Sequence, residues 1–202
     1  MLRSLLNLFA AAAVTLLTAC TVSSPTQLVG ADEGATPLPG RIFVYGYKQG
    51  DDERWRRTDE APRGFTLAGT AYVADDNSMS LRFVPLDNDG YLLSVSGNEP
   101  GALYGTAWVK GQIVVIRMML ADADGVALEK AKAASPPEIA SDITASKDGG
   151  LTVTKRVTLD HLVALLRKST VPTEPLVAWV TEGADAPTPT TIRKDTEGWQ
   201  AE

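Results

Sequence analysis

The sequence predicts a mainly β protein: an antiparallel sandwich or small barrel built from duplicated hairpins, with one packed C-terminal helix near 158–168. Three observations carry this. Short β-branched and aromatic runs recur at close spacing, separated by turn signals such as Asp89-Gly90 and Lys110-Gly111. One run, Gly69-Thr70-Ala71-Tyr72-Val73, returns 36 positions later as Gly105-Thr106-Ala107-Trp108-Val109. A full amphipathic helical stripe occurs once, as Leu159, Leu162, Val163 and Leu166.

The elements follow in order. Thr21 to Gly40 holds Pro25, Pro37 and Pro39 among Ser, Thr and Gly and shows no apolar periodicity, so it reads as a flexible tether. Arg41 to Tyr47 is the first strand, released by Pro39-Gly40. Phe65 to Val73 alternates and reads as one strand. Met79 to Val84 places Met79, Leu81 and Phe83 on one face. Tyr91–Ser96, Leu103–Lys110, Gln112–Met119, Leu151–Val157 and Leu176–Thr181 complete the strands. A weaker helical turn runs from Ala127 to Ala134 and stops at Pro136-Pro137. Thr158 is placed to N-cap the helix, with Arg167 and Lys168 suiting its C-terminal dipole. The segment 182–202, with Pro187-Thr188-Pro189, reads as a disordered tail apart from Trp199.

The repeat extends beyond the five matched residues, over 69–90 and 105–125. Arg82 and Arg117 each precede a glycine by eight positions, and Asp87-Asn88-Asp89-Gly90 corresponds to Asp122-Ala123-Asp124-Gly125. Val114, Ile116 and Met118 align with Met79, Leu81 and Phe83, with one residue lost in the second hairpin. The alignment predicts two hairpins with the same faces turned inward, and Gly69 and Gly105 inside strands.

The N-terminus has a separate message. Arg3 precedes an uncharged run from Leu5 to Leu17, and Leu17-Thr18-Ala19-Cys20 closes it. The 15 residues from Leu5 to Ala19 are short of the roughly 20 that span a bilayer core, and they suit the h-region of a secretory signal. The tetrapeptide resembles the lipobox of bacterial lipoproteins. That resemblance implies cleavage between Ala19 and Cys20, a diacylglyceryl group on the Cys20 thiol, acylation of the new amino group, and attachment to the membrane without a spanning helix. It makes 1–19 a signal peptide and 20–40 a lipidated cysteine with its tether. Thr21, in place of Asp after the cysteine, implies outer-membrane sorting on the periplasmic face in a Gram-negative cell.

Composition bounds the rest. Cleavage leaves 183 residues, enough for one globular domain over 41–181. Loss of Arg3 leaves 18 cationic against 25 acidic side chains, a net charge of −7. Such a balance repels phosphate backbones and excludes nucleic acid as a partner. With a single cysteine, the chain forms no internal disulfide.

No catalytic set emerges, and none is expected. His161 is the sole histidine, and adjacent Asp160 does not face it on a helix. The chain lacks a Gly-x-Ser-x-Gly elbow and a phosphate-cradling glycine pattern. Reading Gly90 or Gly125 as the sixth position of a calcium loop puts Ser96 or Lys132 where a bidentate Glu belongs, so no metal is expected. No cofactor is implied. One cluster invites a partner: Arg54, Trp55, Arg56 and Arg57, a basic surface for an envelope protein or a glycan carboxylate. The nearby acids Asp51, Asp52, Glu53 and Asp59 favour a solvated, self-paired loop instead. Tyr72 and Trp108, with Tyr45 and Tyr47, are candidate ligand-facing aromatics, although aromatics at strand spacing more often serve core or cross-strand packing. The sequence thus points to a non-enzymatic envelope lipoprotein serving as a binding or structural module. Two alternatives accompany it: a small barrel holding an apolar or glycan ligand, and an interaction protein of envelope assembly.

Overall fold

A computed structural model describes residues 22–86, 90–98, 100–118, 126–145, 150–168, 175–195 and 198–202. The signal segment, Cys20, Asp87 to Asp89 and the Asp122–Gly125 turn lie outside them. The strands are β1 (Val22–Ser24), β2 (Arg41–Gln49), β3 (Arg54–Arg57), β4 (Arg63–Ala68), β5 (Ala71–Ala74), β6 (Met79–Leu86), β7 (Gly90–Gly97), β8 (Ala102–Lys110) and β9 (Ile113–Met118). After helices α1 (Val126–Ala133) and α2 (Pro137–Ala140) come β10 (Thr144–Ala145), β11 (Leu151–Thr152) and helix α3 (Arg156–Lys168). The chain closes with β12 (Leu176–Thr181), β13 (Thr191–Asp195) and β14 (Gly198–Ala201).

The chain forms two units: 1–28, 100–105 and 118–173 in the first, and 29–99, 106–117 and 174–202 in the second. The second unit is an antiparallel closed barrel of eight strands in the order β8-β7-β6-β5-β4-β2-β12-β9, with β9 returning to β8. Closure leaves the barrel strands without an open edge. Alternation decides what fills it. Ile42, Phe65, Tyr72, Phe83, Leu93, Ala107, Val114, Ala178 and Val180 point inward and form one buried cluster. Tyr72 and Phe83 meet edge to face at 5.8 Å between ring centroids, as do Phe83 and Tyr91.

The opposite residues of β2, β9 and β12 build a second cluster on the outer wall. Tyr45, Tyr47, Ile113, Val115 and Val177 pack there with Trp55 of β3 and Ile192 of β13. The covering layer is β3-β13-β14, joined to the barrel where Tyr47, Lys48 and Gln49 of β2 pair with Arg57, Arg56 and Trp55.

Several expectations are corrected. The presumed tail is structured: Ile192 is fully buried, opposite Trp55 in the β3–β13 ladder, and β14 pairs with β13. The Pro-rich stretch before it is fastened because Tyr45 donates its hydroxyl to the Ala184 carbonyl and Tyr47 donates to Pro189 at 2.6 Å. The presumed tether is also ordered from Val22. Val22 and Val29 are buried, and Leu38 enters the barrel core. The strand expected over 65–73 is broken by a turn at Gly69-Thr70, with Gly69 at φ +63°. Alternation continues through that turn, which hides it in the sequence. Gly105, by contrast, is buried inside β8.

In the first unit, β1 lies between the β8 segment at Ala102–Tyr104 (antiparallel) and β11 (parallel), and β10 pairs with β11. The strand expected over 151–157 shortens to β11, and α3 starts at Arg156. Thr158 is therefore not the N-cap; it is fully buried within the first turn. Asp142 does the capping from outside. Its carboxylate accepts the amides of Thr154 (3.2 Å) and Lys155 (3.0 Å) and the Thr154 hydroxyl. Burial pushes this carboxyl up, but the hydrogen bonds outweigh burial and hold it below the ordinary aspartate value. Leu159, Leu162 and Val163 are buried as the stripe predicts. Pro137 opens α2 at its first position rather than only ending α1. Among the described residues, no helix is long and apolar enough to cross a membrane.

Candidate functional site

The two aligned hairpins do not superpose face for face. Tyr72 on β5 turns inward, paired with inward Leu81 of β6. Its counterpart Trp108 on β8 turns outward, because Ala107 and Val109 occupy the inward positions. The second strands keep their faces: Leu81 and Phe83 point inward, as do Val114 and Ile116. The difference lies in the loops. Four residues, Asp75 to Ser78, connect β5 to β6, whereas Gly111 and Gln112 alone connect β8 to β9. Between aligned positions the second copy is one residue shorter: Leu81 lies 9 positions after Tyr72, and Ile116 lies 8 after Trp108. Because side chains alternate with period two, losing an odd number of residues exchanges the faces of the strand that enters the turn. Gly111 at φ +59° supplies the left-handed backbone of the tight turn.

Outward Trp108 has consequences. It lines a cleft of about 660 Å³ with Tyr91, Lys110, Val115, Arg117 and Trp199. The volume is in the range of small-molecule sites. The Arg117 guanidinium lies 5.5 Å from the Trp108 ring centroid, within cation–π distance. Trp199 is braced from behind by Trp55, with centroids 4.7 Å apart and planes at 64°. Gly198 holds φ +117°, and a Cβ there would come within 3.2 Å of the Lys110 ammonium. Its lack of a side chain lets Lys110 approach the β14 backbone. Among the described residues, no ion pair engages Lys110 or Arg117. The cleft therefore combines two tryptophan rings with two cations on an acidic protein.

The other candidates fall elsewhere. Tyr72 is fully buried: its hydroxyl donates to the Leu38 carbonyl (2.6 Å) and accepts the Leu38 amide (3.0 Å). It is a core residue, and its expected ligand-facing role is corrected. Tyr45 and Tyr47 are buried too and clamp the 184–189 loop; burial raises the Tyr47 phenol to about 12, against the opposing pull of Arg57. Trp55 is 5% exposed and braces the cleft without lining it. Arg54, Arg56 and Arg57 stand exposed on β3, each with a partner. Arg56 grips Asp52 through two hydrogen bonds of 3.0 and 2.6 Å, Arg54 pairs with Glu202 at 3.6 Å, and Arg57 donates to the Thr188 hydroxyl at 2.7 Å. The basic run is thus a largely compensated strand face. Asp160 pairs with Arg156 at 2.8 Å, which leaves it committed away from half-buried His161.

Sequence reasoning found Trp108 but missed Tyr91, Lys110, Gly198 and Trp199 as its companions. Arg117 was visible in the repeat, and Trp199 stood out as an aromatic in a polar segment. Comparison with protein families, curated proteins and solved structures finds no match to this chain.

Proposed function

We propose that this protein is a membrane-anchored envelope lipoprotein whose barrel serves as a non-enzymatic binding module for carboxylate-bearing glycans. The observation that carries the glycan reading is the outer-wall cleft. Trp108 and Trp199 offer flat apolar faces to sugar rings, and Lys110 and Arg117 stand ready for a carboxylate. The filled barrel core argues against a ligand enclosed between the strands. The anchoring half rests on the Leu17-Thr18-Ala19-Cys20 resemblance. Acylated Cys20 would hold the module at the membrane, and outer-membrane residence follows from Thr21 in a Gram-negative host.

Calorimetric titration of the purified protein tests the ligand class. A soluble peptidoglycan oligosaccharide with free lactyl carboxylates should bind with a dissociation constant at or below ~1 mM, about −4 kcal/mol. Neutral N-acetylglucosamine oligomers should bind at least tenfold more weakly. Equal affinity for both would remove the carboxylate from the proposal, and binding of neither would overturn the glycan reading.

A further inference from the structure

The tether that the composition suggests is missing from the fold. Val22 is fully buried and hydrogen-bonded into a sheet, with Leu151 on one side and Tyr104 on the other. Only Thr21 separates it from Cys20. Two residues at full extension span about 7 Å, whereas a flexible segment of about twenty would reach on the order of 25 Å. On the lipoprotein reading, on which this inference rests, the Cys20 thioether sits where acyl chains meet headgroups. A polar headgroup layer is roughly 5–7 Å deep on each side of the hydrocarbon.

We infer that the first unit is held directly against the lipid headgroups, with the sheet row Val22–Leu151–Ala145 as its membrane-proximal edge. The register places these three residues side by side, and Ala145 is exposed. Adjacent strands are about 4.8 Å apart, so Ala145 lies about 10 Å from Val22 along the row. The acidic charge of the protein supplies no attraction to anionic lipid. Proximity is imposed by the covalent anchor and the shortness of the leash, so the occupant of this edge is a lipid surface.

The test uses the full-length lipidated protein carrying Ala145→Cys with a fluorophore, since native Cys20 is blocked by its lipid. It is reconstituted in phosphatidylethanolamine–phosphatidylglycerol vesicles that contain a lipid with a headgroup nitroxide. Mass spectrometry of the N-terminal peptide first reports whether Cys20 is acylated. Strong quenching is expected, falling at least about twofold when a Gly-Ser spacer of about twenty residues is inserted between Thr21 and Val22. Acylated protein that is unquenched, or quenched equally with and without the spacer, overturns the short leash alone. An unacylated Cys20 overturns the lipoprotein reading and the inference together.

Discussion

The β5–β6 and β8–β9 hairpins start from nearly the same five residues and end in opposite roles. In the first, Tyr72 sits inside the barrel and ties the 29–40 segment down through Leu38. In the second, Trp108 stands on the outer wall beside Arg117, over a cleft. The turns account for the divergence: the second copy is one residue shorter between aligned positions, and it reverses at left-handed Gly111 where the first has a longer loop with left-handed Asn77. The lesson is that a sequence repeat in a β protein transmits strand character but not face. Loss of a single residue at the turn converts a core aromatic into a surface one, with the strand motif otherwise kept.

Substitutions that separate the two aromatics sharpen this contrast. Tyr72→Ala should cost the most, about 3–5 kcal/mol, because it empties a filled core and strands the Leu38 amide and carbonyl; urea unfolding measures it. Tyr72→Phe keeps the ring and removes only the hydroxyl, for about 1–3 kcal/mol by the same assay. Trp108→Ala should move stability by less than about 1 kcal/mol while weakening carboxylated-glycan binding at least tenfold, or about 1.4 kcal/mol, by calorimetry. A Trp108→Ala protein as damaged as Tyr72→Ala would break the comparison.

The smallest expected effect concerns the loops themselves. In the β5–β6 loop, the Ser78 hydroxyl (2.6 Å) and amide (3.0 Å) and Arg63 (2.9 Å) all donate to Asp76. The Ser78 bonds chiefly hold the Asp76 carboxyl below its ordinary value, with Arg63 adding to them. A depressed folded value means that this stabilisation is complete above pH 3.8, the ordinary value, and is lost as pH falls through the folded one. Hydrogen exchange at the Ser78 amide should therefore gain, on acidification, an opening that Asp76→Asn shows at neutral pH. The β8–β9 loop holds only Gly111 and Gln112, so its exchange should lack that step.

Much of the barrel was legible in the sequence. Segments such as Leu176–Thr181 and Met79–Val84 pair β-branched or aromatic residues with turn signals at both ends, and they became β12 and β6. The covering layer was not legible, for a local reason. Trp55 is a lone inward residue among three exposed arginines, so β3 resembles a solvated loop. Ile192 and Trp199 are similarly isolated among polar neighbours, and their burial depends on a partner layer elsewhere in the chain. Val22, Val29 and Leu38 insert singly between prolines and polar residues, which leaves no period to detect. The cleft inherits these gaps, since Trp199 reaches it only through β14.

The outward face of Trp108 as a ligand surface is the central claim, and fluorine NMR of protein labelled with 5-fluorotryptophan tests it most directly. The chain has 4 tryptophans, and two of them, Trp108 and Trp199, line the cleft. On titration with the carboxylated peptidoglycan oligosaccharide, those two resonances should shift saturably and Trp179 should stay in place. The shifts should vanish in Arg117→Ala. Unmoved Trp108 and Trp199 resonances at saturating ligand, or shifts that persist without Arg117, would contradict the account.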